Sequence, residues 1–343
     1  MGILLTLLSV FVTIVSTTNP ISCPGSTVVN RQNTPYYYPS TWNENQTTIP
    51  EMNPAQSCNW MVTVPNGYFA RFSVYSTMRD TTSFVQLMDS IGEVEDFQKN
   101  DGTPYYFVAP RFMIFLNINT TANFAFKVEW SLIPTTSSSI TVSSTDILVK
   151  STLIFATPTV ISAPKNVAIV PIAQDSSNIA LLRSTLIFDG SSTSANFVGT
   201  LAYLAKYSTF KFSHGTTLTL VNLAPVAGCQ DTVVIQDYSS IEYSKDYRGL
   251  SFDSNGKSEV NIASYGVEVV ISATIDESSE TLLYAKISED ATLSIYNGTI
   301  SSSNLLAQFD SDGVRKGLPM TFGGYIRQYV VSGARNANLR FRR

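Results

Sequence analysis

A chain of 343 residues exceeds what a single hydrophobic core usually organises, so two or more domains are expected. With 44% hydrophobic and 14% charged residues, and 22 basic against 26 acidic groups, the composition excludes a disordered tail and a surface built to hold a nucleic-acid backbone. One histidine and three cysteines are too few for a zinc cluster, and any histidine-based triad must converge on His214.

Ile3 to Val15 is an apolar run broken only by Thr6, Ser9 and Thr13 and followed by the small residues Ser16 to Thr18. That pattern predicts a secretory signal peptide over residues 1–17. The start Met1 to Thr6 also fits a loose myristoylation pattern, but the apolar residues filling it belong to the signal. No later segment reaches the roughly 18 apolar residues a membrane span needs. The expected product is a secreted, extracellular protein with no transmembrane segment, and peripheral membrane association stays open. Asn45, Asn119 and Asn297 each begin an Asn-x-Ser/Thr glycosylation pattern. Cys23 and Cys58 are 35 positions apart, and an oxidising compartment lets them pair. The alternative is two separate buried thiols. Cys229 is left over, either for a bridge between chains or as a buried free thiol.

Period-two alternation recurs along the chain. Tyr68, Ala70, Phe72 and Val74 alternate with Arg71, Ser73 and Tyr75. Phe124, Phe126, Val128 and Trp130 alternate with Ala125, Lys127, Glu129 and Ser131, as a half-buried strand requires. Phe112 to Leu116 is apolar at every position and predicts a central strand covered on both faces. Helical spacing is not persuasive anywhere after the signal. The prediction is an all-β protein of tandem antiparallel jelly-roll sandwiches with no substantial helix.

All three tryptophans precede residue 134, and Pro134 to Ser139 is polar and rich in turn formers. A Ser/Thr-rich linker is therefore expected over 134–145, after a first domain at 19–133. Beyond it, Thr185 to Gly190 with Phe197 to Leu201, and Leu293 to Gly298 with Leu305 to Phe309, repeat a strand, turn, strand order. Asp189-Gly190 and Asn297-Gly298 supply the positive φ angles of tight hairpins, and Met88-Asp89-Ser90 is a weaker first version. Each is followed by a further strand candidate, at 112–118, 218–223 and 325–331. The period of 100 and then 108 residues predicts two more sandwiches, at 146–226 and 227–343.

The series Cys23-Pro24-Gly25, Tyr36-Tyr37-Tyr38-Pro39, Cys58-Asn59-Trp60 and Pro65-Asn66-Gly67 resembles the CUB domain, and more closely the divergent nematode CUB-like family. The resemblance implies a two-sheet jelly roll over the first domain and a role in innate defence against bacteria. It makes the later units look like degenerate CUB-like copies. Many CUB domains carry a calcium site, but the position of its aspartate is Ser83, Arg183 and Ala291 in the three units. No metal and no cofactor are expected.

Candidate chemistry is sparse. His214 lies in a Ser-His-Gly turn without an elbow serine nearby, and Asp189 to Ser192 lacks the lysine and helix of a phosphate loop. Tyr36, Tyr37, Tyr38 and Trp42 form the best candidate recognition surface, unless they pack beneath the loop between Cys23 and Cys58. The tail residues Arg335, Arg340, Arg342 and Arg343 read as a solvated end. The leading expectation is a non-enzymatic binding protein for an extracellular protein or glycan. The rivals are a hydrolase using the pair Asp89 and Glu93 or the pair Asp237 and Glu242, and a matrix protein cross-linked through Cys229.

Overall fold

The computed structural model describes residues 20–99, 101–227, 230–263, 266–334 and 336–343. The segment expected to be a signal peptide, Cys229 and Arg335 lie outside the described residues. Among those described, the chain is all-β, and its helices are limited to α1 (Leu201–Lys206), α2 (Ser311–Gly317) and short 3-10 turns.

The first unit contains β1 (Ser26–Val29), β2 (Tyr36–Tyr38), β3 (Glu51–Met52), β4 (Gln56–Thr63), β5 (Tyr68–Thr77), β6 (Phe84–Met88), β7 (Val94–Phe97), β8 (Tyr105–Val108), β9 (Arg111–Ile118) and β10 (Ala122–Leu132). One sheet has the order β1-β4-β9-β6-β7 and the other β2-β10-β5-β8, with β3 beside β10. Alternation decides what is buried. Phe72 and Val74 of β5, Phe124, Phe126 and Val128 of β10, and Trp60 and Val62 of β4 fill the space between the sheets. Trp130, at the end of that alternation, is only partly buried, and its indole N–H donates to the Thr63 carbonyl at 2.9 Å. In β9, Phe112, Ile114 and Leu116 point inward while Met113 and Phe115 are half-buried. The strand is central because β4 and β6 flank it, not because both of its faces are covered.

The second unit contains β11 (Ser138–Thr141), β12 (Ile147–Ser151), β13 (Thr159–Ser162), β14 (Val167–Ile172), β15 (Thr185–Asp189), β16 (Asn196–Thr200), β17 (Lys211–Phe212), β18 (Thr217–Asn222) and β19 (Thr232–Asp237). Its sheets run β11-β13-β18-β15-β16 and β12-β19-β14-β17, the same two orders as in the first unit. Two expected boundaries therefore move. Ser138–Thr141 is a strand paired with β13 and not linker, because β-pairing satisfies its backbone however polar its side chains are. Residues 232–237 belong to the second sandwich, since β19 hydrogen-bonds between β12 and β14.

The third unit contains β20 (Asp246–Gly249), β21 (Lys257–Ile262), β22 (Gly266–Ile287), β23 (Thr292–Asn297), β24 (Leu305–Phe309), β25 (Met320–Ala334) and β26 (Ala337–Arg342) in one seven-stranded sheet. The topology is again the same once two long strands are divided. The first half of β22 lies between β20 and β25, as β4 lies between β1 and β9, and its second half pairs with β25 and β26, as β5 pairs with β8 and β10. Where the other units turn from one sheet to the next, β22 passes through with a bulge between Ala273 and Ser278. The carbonyls of Ser278 and Gly324 at that break accept hydrogen bonds from Arg327 at 2.7 and 2.6 Å. Arg327 is fully buried and paired with Glu280, whose other donors are the Ser272 hydroxyl at 2.6 Å and the Tyr329 hydroxyl at 2.7 Å. One expectation fails in all three units alike. The pairings β1 with β4, β11 with β13, and β20 with β22 are parallel, so the sandwiches are not purely antiparallel.

The units stack sheet on sheet. Outward residues Phe69, Tyr106 and Val108 of the first unit pack against Leu186, Phe188 and Val221 of the second. Outward Ala168, Val170 and Val234 of the second pack against Val269, Ile271 and Val330 of the third. The expected disulfide is present, with Cys23 and Cys58 at a Cα separation of 6.2 Å, tying the N-terminal segment to β4. Its loop of 35 positions should stabilise the first unit by about 3–4 kcal/mol in a chain-entropy treatment. Urea unfolding of the Cys23→Ala/Cys58→Ala variant is expected to show that loss, with no change in the oxidised protein's sheet content by circular dichroism.

Candidate functional site between the first two units

The aromatic cluster expected to be a recognition surface is mostly core. Tyr38 is 8% exposed with its ring 4.7 Å from that of Trp60, and Trp42 is 3% exposed with its ring 4.8 Å from that of Tyr75. β2 pairs with β10, so its alternation carries Tyr36 and Tyr38 onto Phe126, and Tyr37 faces outward toward Glu44 and Lys127. Hydrogen bonds from Lys127 and Tyr37 lower the Glu44 carboxyl to about 2.

Ser83, at the position where the resemblance would put a calcium-binding aspartate, belongs to a different device. The Asp80 carboxylate accepts hydrogen bonds from the hydroxyls of Ser83, Thr82 and Thr120 and from the backbone N–H groups of Thr82 and Ser83. Its oxygens are thereby occupied, and its pKa is held well below the usual range by those donors. Among the described residues, no group of three or more His, Cys, Asp or Glu side chains is placed to hold a metal ion. Asn45, Asn119 and Asn297 are all exposed, although the Asn119 amide nitrogen already donates to Thr82 at 2.7 Å. His214 is exposed, its ring held by Asp189, while the neighbouring Ser213 hydroxyl is buried and spent on Gly215 and Val167. Arg340 and Arg343 do not form a loose end. Arg340 pairs with Glu259 at 3.3 Å, and Arg343 lies over the Phe252 ring at 4.2 Å.

Asp237 and Glu242 do not form a facing pair. Asp237 caps the turn after β19 by accepting from Ser239 and Lys165, and Glu242 is exposed. Asp89 and Glu93 do share a cleft, but Asp89 is likewise committed to its own hairpin, accepting from the N–H groups of Ile91 and Glu93 at 2.9 and 2.8 Å.

That cleft has a volume of about 260 Å³. The turn joining β6 to β7 and the face of β8 supply one wall, and α1 with the 3-10 segment Ser176–Ser184 supplies the other. Thr200 caps α1 through the Tyr203 N–H, which sets the Tyr203 and Tyr207 rings 4.6 Å apart along the opening. At its base Arg183 crosses from the second unit to the first. Its guanidinium donates to both Asp101 oxygens at 2.9 and 2.7 Å, reaches Glu95 at 2.7 Å, and lies 4.0 Å over the Tyr105 ring. Lys206 adds a longer contact to Glu95 at 3.8 Å.

Glu93 has none of this compensation. Among the described residues, no side chain or backbone donor bonds its carboxylate, which lies against Gly199 of the second unit, where a Cβ would meet Oε1 at 3.3 Å. Burial, with the nearby Asp89 charge adding to it and Lys211 opposing it, raises the Glu93 pKa to about 7. Burial also raises the pKa values of Asp89 and Tyr203. The sequence singled out Asp89 and Glu93 as a pair. It held no signal for Arg183, Tyr203 or Lys206, which reach the cleft only through stacking of the units.

Residues 18–134 match the CUB-like domain family, and this first unit is a CUB-like domain. Residues 140–223 match the domain of unknown function DUF7592, and residues 233–343 match the domain of unknown function DUF7591. No curated protein matches the chain. Among solved structures, similarity extends to the CUB1-EGF-CUB2 domains of rat MASP-1, at 7% identity and a TM-score of 0.25, covering 93% of this chain and 100% of that one. The full extracellular region of zebrafish Gpr126/Adgrg6 shows 10% identity and a TM-score of 0.25, covering 92% of this chain and 52% of that one. Both scores are low, so the strand orders above carry the description of the fold. Among the described residues, no helix is long and apolar enough to cross a membrane.

Removing Arg183 leaves Glu95 with only its longer contact to Lys206 and takes from Asp101 its Arg183 partner, but both carboxylates are about a third or more exposed, so the loss falls below that of a fully buried pair. Arg183→Leu is expected to cost about 1–3 kcal/mol and to separate the unfolding of the first unit from that of the second. Differential scanning calorimetry checks this as a single transition becoming two.

Proposed function

We propose that this chain is a secreted, non-enzymatic binding protein whose cleft between the first two units takes a basic side chain of an extracellular partner protein. The observation that carries the reading is Glu93, a half-buried carboxylate without a donor, beside the rings of Tyr203 and Tyr207. The cations already in the cleft, Arg183 and Lys206, are directed at Glu95 and Asp101, so Asp89 and Glu93 leave it net negative. An ammonium or guanidinium group restores the solvation Glu93 has lost and meets π faces on its way in. The CUB-like first unit and the disulfide support an extracellular setting. The family resemblance adds defence against bacteria at an epithelial surface as the proposed context. Hydrolysis by Asp89 and Glu93 is the weaker reading, because Asp89 is consumed by its own turn.

The test is fluorescence anisotropy of a labelled oligolysine peptide against the full secreted chain, with an oligoglutamate control. Binding by the wild type and a loss of about tenfold or more in Glu93→Gln at pH 8 is the expected outcome. Equal affinity in the two proteins would sink the proposal. The ligand needs the ionised carboxylate, so affinity is expected to fall as pH drops below about 7. Stability has the opposite slope. The folded state holds a proton that the unfolded chain releases near 4.5, so Glu93's contribution is fully present below that value and is lost as pH rises through about 7.

A further inference from the structure

A second cavity, of about 290 Å³, opens between the second and third units, and its lining differs in kind from that of the first. The loop from β11 to β12 supplies Asp146, the end of β19 and the turn after it supply Gln236 and Ser240, and the turn after β23 supplies Ile300. No lysine, arginine or aromatic residue lines it, so neither an anion nor a cation held on π faces is matched. The wall combines aliphatic faces with amides and hydroxyls.

The hydrogen-bonding groups are unequally used. Gln328, 2% exposed, is bonded at both ends of its amide, accepting from the Tyr247 hydroxyl at 2.9 Å and donating to the Gly298 carbonyl at 2.7 Å. Gln236, 1% exposed, accepts only a long 3.4 Å hydrogen bond from Ser240. Its amide nitrogen has the Tyr247 hydroxyl beside it as a neighbour, and even with that acceptor one of its two N–H groups lacks a partner. A buried N–H without an acceptor is a standing cost that a ligand oxygen removes. At the rim, the exposed Asp146 carboxylate makes no hydrogen bond among the described residues, so both of its oxygens can accept.

We propose that this pocket binds a neutral sugar residue, with one hydroxyl accepting from Gln236 and another donating to Asp146. A sugar hydroxyl both donates and accepts, which suits an amide donor and a carboxylate acceptor in one pocket, and the C–H face of the ring suits Ile241 and Ile300. The volume is that of a site for one ring, so a free monosaccharide and the terminal residue of a glycan share the chemistry.

Saturation-transfer NMR on the full secreted chain, with the methyl glycosides of glucose, galactose, mannose and N-acetylglucosamine, tests the free sugars, and a glycan array tests the terminal residues. The expected result is saturable binding of at least one probe, weakened about tenfold or more by Asp146→Ala, abolished by Ile300→Trp, and unchanged by Glu93→Gln. Asp146 and Ile300 lie at the rim, and a circular dichroism melt verifies that both variants remain folded. Absence of binding in both formats overturns the proposal. Binding that survives in Asp146→Ala and Ile300→Trp also overturns it, since the sugar then sits elsewhere.

Discussion

Arg183 is the group on which the arrangement of the first two units depends. A guanidinium that is 9% exposed cannot remain charged without partners, and Glu95, Asp101 and the Tyr105 face all come from the neighbouring unit. The apolar shelf of Phe69, Tyr106, Leu186 and Phe188 supplies most of the free energy of stacking, at about 1.5–3 kcal/mol for each fully buried large side chain. Apolar contact is non-directional, however. The ion pairs of Arg183 with Asp101 and Glu95 select one orientation among those the shelf would allow, and that orientation sets Glu93 against Gly199.

One topology, used three times, explains both where the clefts form and why they differ. The turns joining β6 to β7, β15 to β16, and β23 to β24 occupy the same place in each unit. In the first unit that turn meets α1 of its neighbour across a cleft lined by charges of both signs, and in the third it meets the end of β19 across one lined by amides, hydroxyls, aliphatic side chains and the Asp146 carboxylate. The residues leading into the preceding strands diverge in parallel. Ser83, adjacent to β6, joins the Asp80 clamp; Arg183, two residues before β15, reaches into the first unit; and Ala291, adjacent to β23, is buried in the third unit's core.

The third unit shows how the fold tolerates the loss of two turns. Running β22 and β25 through the corners leaves carbonyls without ladder partners, and only a buried donor with several N–H groups can satisfy more than one of them. Arg327 does so, and Glu280 with its hydroxyl donors balances the charge. The polar core is the consequence of continuous strands.

Much of this was legible in the chain. The alternation of Phe124, Phe126 and Val128 specified an inward face, the three turns at Asp89, Asp189 and Asn297 marked a repeating unit, and the cysteine pair and Cys-Asn-Trp segment indicated a CUB-like start. These are local properties, since side-chain periodicity and turn chemistry are carried by neighbouring residues. The strands at 105–108, 167–172 and 232–237 are buried on both faces by the stacking, and a strand covered on both faces need not alternate. Which surfaces meet was not legible. The burial of Tyr38 and Trp42, the reach of Arg183 over 82 residues to Asp101, and the convergence of Asp146 and Gln236 on one cavity depend on contacts distant in sequence. Sequence by itself determined an all-β chain with a recurring strand, turn, strand unit. Tertiary structure alone decided which carboxylates lost their water and which found a partner, because desolvation is a property of the packed surface and not of the residue.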